Sequence, residues 1–168
     1  MGAQTELIDL RDYHLEFAGS GQTASTDAQN LQARVRAAHG ILLGTPEYHG
    51  SLSGVLKNAL DLMGFGEFEG KMVGLVGVSG GHMGAFDALN TLRNVGRALH
   101  AWVVPEQAAV AEAWKVFDPS GRVLDPALEK RLRSVGRQVA RFAHLHKCAA
   151  AHDFLKNWEE APDNPGGQ

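Results

Sequence analysis

"GTPEYHGSLSGVLKNALD", Gly44 to Asp61, joins two different patterns. It overlaps the short apolar run "GILLGT" (Gly40 to Thr45) and then opens "GVLKNALDLM", which places Val55, Leu56, Ala59, Leu60 and Met63 on one helical stripe. A strand that turns into a helix is the repeating unit of an α/β fold, and ligands of such folds sit at that turn. Here the turn carries Pro46, Glu47, Tyr48 and His49, a polar and aromatic set that marks a candidate site.

Working outward, "TELIDL" (Thr5 to Leu10), "KMVGLVGV" (Lys71 to Val78) and "AWVVP" (Ala101 to Pro105) are further short apolar runs bounded by turn residues, and read as strands. The near-continuous apolar character of "GILLGT" and "KMVGLVGV" suits a parallel sheet with helices on both faces. "STDAQNLQARVRAAH" reads as a helix capped by Ser25, Thr26 or Asp27, and "AFDALNTLRNVGRALH" as another with Leu89, Leu92, Val95 and Leu99 inward. The alternation predicts an open, doubly wound α/β sheet. Beyond Pro105 the chain reads as irregular, with a turn at "DPSG". A last amphipathic helix is expected from Pro126 to Ala150, burying Leu128, Leu132, Val135, Val139 and Phe142. The polar ending "EEAPDNPGGQ" reads as disordered. The expected organisation is one domain over residues 1–150 and a C-terminal extension over 151–168.

Composition sets the bounds. At 168 residues and 44% hydrophobic content the chain can bury one sizeable core. A net charge of −3 gives no basic footprint, so neither nucleic acid nor anionic membrane is expected as a partner. No apolar run reaches the ~18 residues of a membrane span, and "MGAQTELIDLRDY" has neither the charged nor the apolar region of a signal peptide, so a soluble, cytoplasmic protein is expected. The lone Cys148 excludes an intrachain disulfide. In "HLHKC" a helix puts His144 and Cys148 on one face and His146 on another, so no metal site is expected. Arg131, Arg133, Arg137 and Arg141 read as the solvated side of the last helix. Dinucleotide and nucleoside-triphosphate fingerprints are absent.

Taken as a contiguous block, "GTPEYHGSLSGVLKNALD" resembles the signature of the NADPH-dependent FMN reductase family, whose fold is flavodoxin-like. "GVSGGHMGAFDALNTLRNVGRAL" resembles that family's second flavin loop and following helix, and the resemblance extends from Gly2 to Leu145. It implies a flavodoxin-like doubly wound parallel sheet and FMN as cofactor, with NADPH or NADH as electron donor. It also implies a small acceptor (quinone, flavin, azo compound or metal ion) and a homodimer or homotetramer. The cofactor-binding positions it implies are Thr45, Pro46, Glu47, Tyr48, His49 and Gly50 in the first loop and Ser79, Gly80, Gly81, His82 and Gly84 in the second.

Those residue types suit a flat, amphipathic ring with hydrogen-bonding groups along one edge. Pro46 stiffens the first turn, and Gly80 and Gly81 let backbone approach a ring edge. Ser51 or Ser53 would cap the helix beginning near Gly54, whose N-terminus favours the charge a reduced flavin develops at N1 and C2=O. His49 and His82 read as surface groups rather than proton relays, and Glu47 reads equally as a ring-orienting or a solvated carboxylate. The cofactor carries the chemistry, so no catalytic acid or base is assigned. The rival reading is a non-catalytic electron carrier or interaction protein with a vestigial flavin site. Subunit contact is expected on the Val55 to Met63 helix and "MGFGEFEG", unless Phe65 and Phe68 close the chain's own core.

One departure stands out. Family members begin with a first strand and a Gly-Ser-rich loop that cradles the FMN phosphate, whereas Met1 here stands four residues before "TELIDL", which matches the family's second strand. In the 2-1-3-4-5 strand order this leaves a gap of about 9.6 Å, two strand spacings, and makes "GILLGT" an apolar edge. Three readings are open: a start at an internal Met, a direct pairing of "TELIDL" with "GILLGT", or completion of the sheet by another chain. The first is preferred, since Ser20 and Gly21 only form a loop before the next helix.

Overall fold

The computed structural model describes residues 2–147 together with 153, 156, 157 and 160. Its elements are α1 (Thr26–Ala37), β1 (Gly40–Tyr48), β2 (Ser51–Leu52), α2 (Gly54–Asp61), α3 (Phe65–Phe68), β3 (Met72–Val78), α4 (Phe86–Ala98), β4 (Trp102–Val110), α5 (Ala113–Val116) and α6 (Pro126–His146). The sheet order is β2-β1-β3-β4, with β1, β3 and β4 parallel and only the two-residue β2 antiparallel.

Two glycines of β3 show how the faces are covered. A Cβ at Gly77 would lie 2.6 Å from the Ala85 Cβ and 3.0 Å from Leu89, so α4 packs flush on that face. A Cβ at Gly74 would lie 2.7 Å from Val139 and 2.8 Å from Val135, so α6 covers the other. The alternation of a strand puts positions three apart on opposite faces, and the core divides accordingly. Val73 and Leu75 join Leu31, Leu56, Leu60, Phe68, Leu89 and Leu92 on one side, and Met72 joins Val104, Val139 and Ala143 on the other. Helices therefore cover both faces, as expected of a doubly wound sheet.

Caps set the helix starts. Ser25 accepts from the Ala28 amide, Ser53 from Leu56 and Asp125 from Ala127, ahead of Pro126 in the first turn. This decides between Ser51 and Ser53, since Ser51 lies in β2. Strand β4 runs five residues beyond the expected end at Pro105. Pro105 has no amide to give the ladder, and the register slips between Val73 and Leu75 beside it. Arg93 covers the break by donating to the carbonyls of Val104 and Pro105. On α6 the buried positions are Val135, Val139 and Ala143, and Phe142 turns outward, one place off the expected stripe.

"TELIDL" is not a strand. Residues 5–9 carry no regular structure, and Leu10–Asp12 form a 3-10 turn capped by Asp9. Ile8 and Leu10 still pack against the core, so the apolar residues do their burial without a ladder. No described strand lies beside Gly40–Pro46 on the side away from β3, and a strand without a neighbour has no ladder to join. The pairing of "TELIDL" with "GILLGT" does not occur.

Candidate flavin site

Both motif loops leave the carboxyl ends of adjacent parallel strands, where Pro46 pairs in register with Val78. The structure thus brings Thr45–Gly50 and Ser79–Gly84 together on one rim of the sheet.

The first of these is a β-hairpin rather than an open loop. Strand β1 continues through Pro46 and Glu47 to Tyr48, and Tyr48 and Glu47 pair with Ser51 and Leu52. His49 (φ +52°) and Gly50 (φ +73°) make the two-residue turn, the doubly positive φ pattern whose twist suits a hairpin. Thr45 is buried, and its hydroxyl donates to the Pro46 carbonyl while accepting from the Ser53 amide. It holds the hairpin onto the start of α2. Tyr48 is 62% exposed on the strand's last position.

Glu47 reaches across to the helix that follows the second loop. Its Oε2 accepts the Ala88 amide at 3.0 Å, in the first turn of α4, where the N-cap position Ala85 has no side-chain acceptor. A carboxylate from the first loop therefore caps the helix that follows the second, where the helix dipole favours it.

The second loop is tied at its ends and open in its middle. Ser79 donates its amide to the Val110 carbonyl, and its Oγ accepts from the Gly81 amide. A Cβ at Gly80 would meet nothing within 4 Å, while Gly84 turns at φ +72° against Ala109 and Ala111. The backbone amides of Gly80, Met83 and Gly84 have no hydrogen-bond partner among the described residues. Met83 is 83% exposed and Phe86 56% exposed beside them. Free donors with exposed apolar side chains form a cradle suited to the carbonyl edge and flat faces of a ring, so the residues present fit the flavin ring. Among the described residues no strand precedes α1.

Three contacts from the far side of β4 were not legible in the sequence. Glu112 donates its amide to the Gly81 carbonyl, Ala113 donates to Ser79, and the Glu112 carboxylate lies 3.1 Å from His82 Nδ1. Lys115 Nζ donates to the same carboxylate at 2.5 Å, and this bond, with the nearby His82, holds the Glu112 carboxyl below the usual carboxylate range. The sequence carried no signal for them, since Glu112 stands two places past Val110, in a stretch that reads as irregular beyond Pro105.

Among the described residues no group of three His, Cys, Asp or Glu side chains is placed to hold a metal, and Cys148 lies outside them. No described helix is long and apolar enough to cross a membrane.

The sequence profile of the family described as NADPH-dependent FMN reductase matches residues 1–115. The chain belongs to that family. A relative in Staphylococcus aureus (strain USA300), an FMN-dependent NADPH-azoreductase, is 36% identical over 149 residues, covering 84% of this chain and 79% of its own. Among solved structures, the flavoenzyme NAD(P)H:(acceptor) oxidoreductase FerB from Paracoccus denitrificans matches with a TM-score of 0.63 at 24% identity, over 84% of this chain and 79% of that one. An oxidoreductase from Corynebacterium diphtheriae matches with a TM-score of 0.57 at 21% identity, over 73% of this chain and 63% of that one, so the chain spans under two thirds of that protein. These two likenesses bear on the fold, which is that of the flavodoxin-like reductases. As a member of the NADPH-dependent FMN reductase family, the chain is an oxidoreductase with FMN as its cofactor and NADPH as its electron donor.

Proposed function

We propose that this chain holds FMN between the Thr45–Gly50 hairpin and the Ser79–Gly84 loop and passes electrons from NADPH to a small planar acceptor, an azo compound or a quinone. The observation that carries the site is the set of amides of Gly80, Met83 and Gly84 without a partner among the described residues, at the same end of the sheet as the hairpin that bears exposed Tyr48. Bound FMN supplies a centre that accepts hydride from the nicotinamide and releases electrons to the acceptor. The chain's own part is to position and to exclude water. The three amides would donate to the ring's polar edge, Tyr48 and Met83 would supply apolar contact, and the Ser53-capped N-terminus of α2 would favour negative charge on the reduced cofactor. His49 and Gly50 shape the hairpin, and Glu47 fixes its distance from α4.

On this reading residues 1–150 act as one flavin-binding domain with 151–168 appended. The protein works in the cytoplasm as a homodimer or homotetramer, for which exposed Val55 on α2 and exposed Phe65 offer apolar surface. Phe68, by contrast, is buried in the core, and Phe65 stacks on His100 with ring centroids 4.2 Å apart.

The test is titration of the purified chain with FMN, followed by flavin fluorescence and then by NADPH oxidation with an azo dye or a quinone. Quenching at low micromolar FMN and steady turnover are expected, and Gly81→Val should weaken the quenching. Quenching without turnover would favour an electron carrier. Tight FMN binding indifferent to Gly81→Val would move the flavin away from this loop.

A further inference from the structure

We infer that Glu112 is a positioning residue, which holds the second loop in the shape that receives the flavin. The inference rests on the placement of FMN proposed above.

Glu112 sits just past the end of β4 in the left-handed region, φ +45° and ψ +52°. That conformation is unfavourable for any residue with a Cβ, and glycine would adopt it freely. A glutamate held there implies that its side chain has something to do. The geometry shows what. From one residue the amide reaches the Gly81 carbonyl at 3.1 Å and the carboxylate reaches His82 Nδ1 at 3.1 Å, so two successive positions of the loop are held from the same point. Lys115 Nζ, 2.5 Å from the same carboxylate, keeps it from turning back to solvent, and Lys115 is itself placed over the Trp114 ring at 4.8 Å.

The ties fall on the middle of the loop, next to the amides of Gly80 and Met83, which lack partners among the described residues. Donors that must wait unpaired for a ligand gain nothing from the empty loop. Without an outside brace a turn rich in glycine would sample other conformations and lose them. Glu112 supplies the brace without occupying the donors. His82, 86% exposed in its side chain, thereby gains a role as the loop's handle rather than as a proton relay.

The experiment compares wild type with Glu112→Gln, which keeps size and loses charge, and Glu112→Gly, which relaxes the backbone and removes the side chain. Amide hydrogen exchange is followed without flavin at the hydrogen-bonded amides of the loop and its brace, those of Gly81, position 112 and Ala113, and FMN affinity by fluorescence. In both variants exchange in the loop should accelerate while β3 and α4 keep their protection. FMN affinity should fall by about tenfold, as for loss of a charge-assisted bond, with kcat at saturating FMN within about twofold of wild type. His82→Asn should weaken FMN binding similarly and add little to Glu112→Gln. Unchanged loop exchange would overturn the inference, as would protection lost throughout the molecule, which would make Glu112 a general support of the fold. Faster loop exchange with unchanged FMN affinity would instead overturn the flavin reading of this loop.

Discussion

At the scale of single residues, the site is built by side chains that turn inward to backbone rather than outward to a ligand. Thr45 is spent on Pro46 and Ser53, and Glu47 on Ala88. Glu47→Ala would leave the start of α4 with no side-chain acceptor, at a cost of about 0.5–2 kcal/mol in urea unfolding, the range for a lost helix cap. Glu47→Gln, which keeps an acceptor oxygen, should cost less than Glu47→Ala. Glu112 makes a prediction in pH. Its folded-state value is depressed by Lys115 and then His82, so its contribution is complete above the ordinary value of 4.5 and is lost as pH falls through the lower folded value. The difference in loop exchange between wild type and Glu112→Gln should therefore be full near neutrality and should close in acid, once the wild-type carboxyl is protonated. A difference that persists unchanged below the folded value would sink this assignment. The sequence displayed the two glycine-bearing loops because backbone needs leave a compositional mark. It hid Glu47's cap and Glu112's brace, because a carboxylate's partner depends on which strands are neighbours.

At the scale of elements, the legible parts were those with a strong local period. Helices α1, α2, α4 and α6 and strand β3 stand where apolar spacing put them, while β1 and β4 begin there and run on past their expected ends. "TELIDL" failed although its composition is strand-like, because a strand is a relation between two segments and no described neighbour exists for it. The hairpin was missed for the opposite reason. "HG" lies inside a polar stretch that reads as loop, yet Thr45 and the register with Val78 carry β1 onward to it. Two substitutions test these elements. Gly50→Ala puts a Cβ at φ +73° and should cost about 1–2 kcal/mol while the rest of the sheet survives. Gly77→Ala would drive a methyl to 2.6 Å from Ala85, whose own Cβ cannot swing away, so α4 must lift from β3. Overpacking of this kind should cost about 1–3 kcal/mol, read from the urea midpoint. Because α4 follows the second loop directly, FMN affinity should fall with it, which Gly50→Ala need not match.

At the scale of the whole molecule, the edge of β1 and the flavin rim pose one question of stability. Over Gly40–Pro46 the outer side of β1 has no described partner, and Leu42 on that strand is 54% exposed, so the free chain carries an edge open to association. The rim adds unpaired amides and exposed Tyr48 and Met83. Both features mark surface that is poorly satisfied in the chain by itself, but they respond to different agents. FMN that binds the folded chain and not the unfolded one stabilises it by mass action, about 2.7 kcal/mol at one hundred times Kd, which for a chain of this length corresponds to a rise in Tm of several degrees. Binding at the rim leaves the β1 edge untouched. Thermal unfolding should accordingly move up with FMN, by an amount that Gly81→Val abolishes. Concentration-dependent light scattering should stay unchanged by FMN and fall with Leu42→Lys, since a charge on an open edge blocks strand addition. If FMN alone suppressed the scattering, the flavin would be sitting along the Gly40–Leu43 edge of β1, away from the rim, and the cradle on Gly80, Met83 and Gly84 would be the wrong place for it.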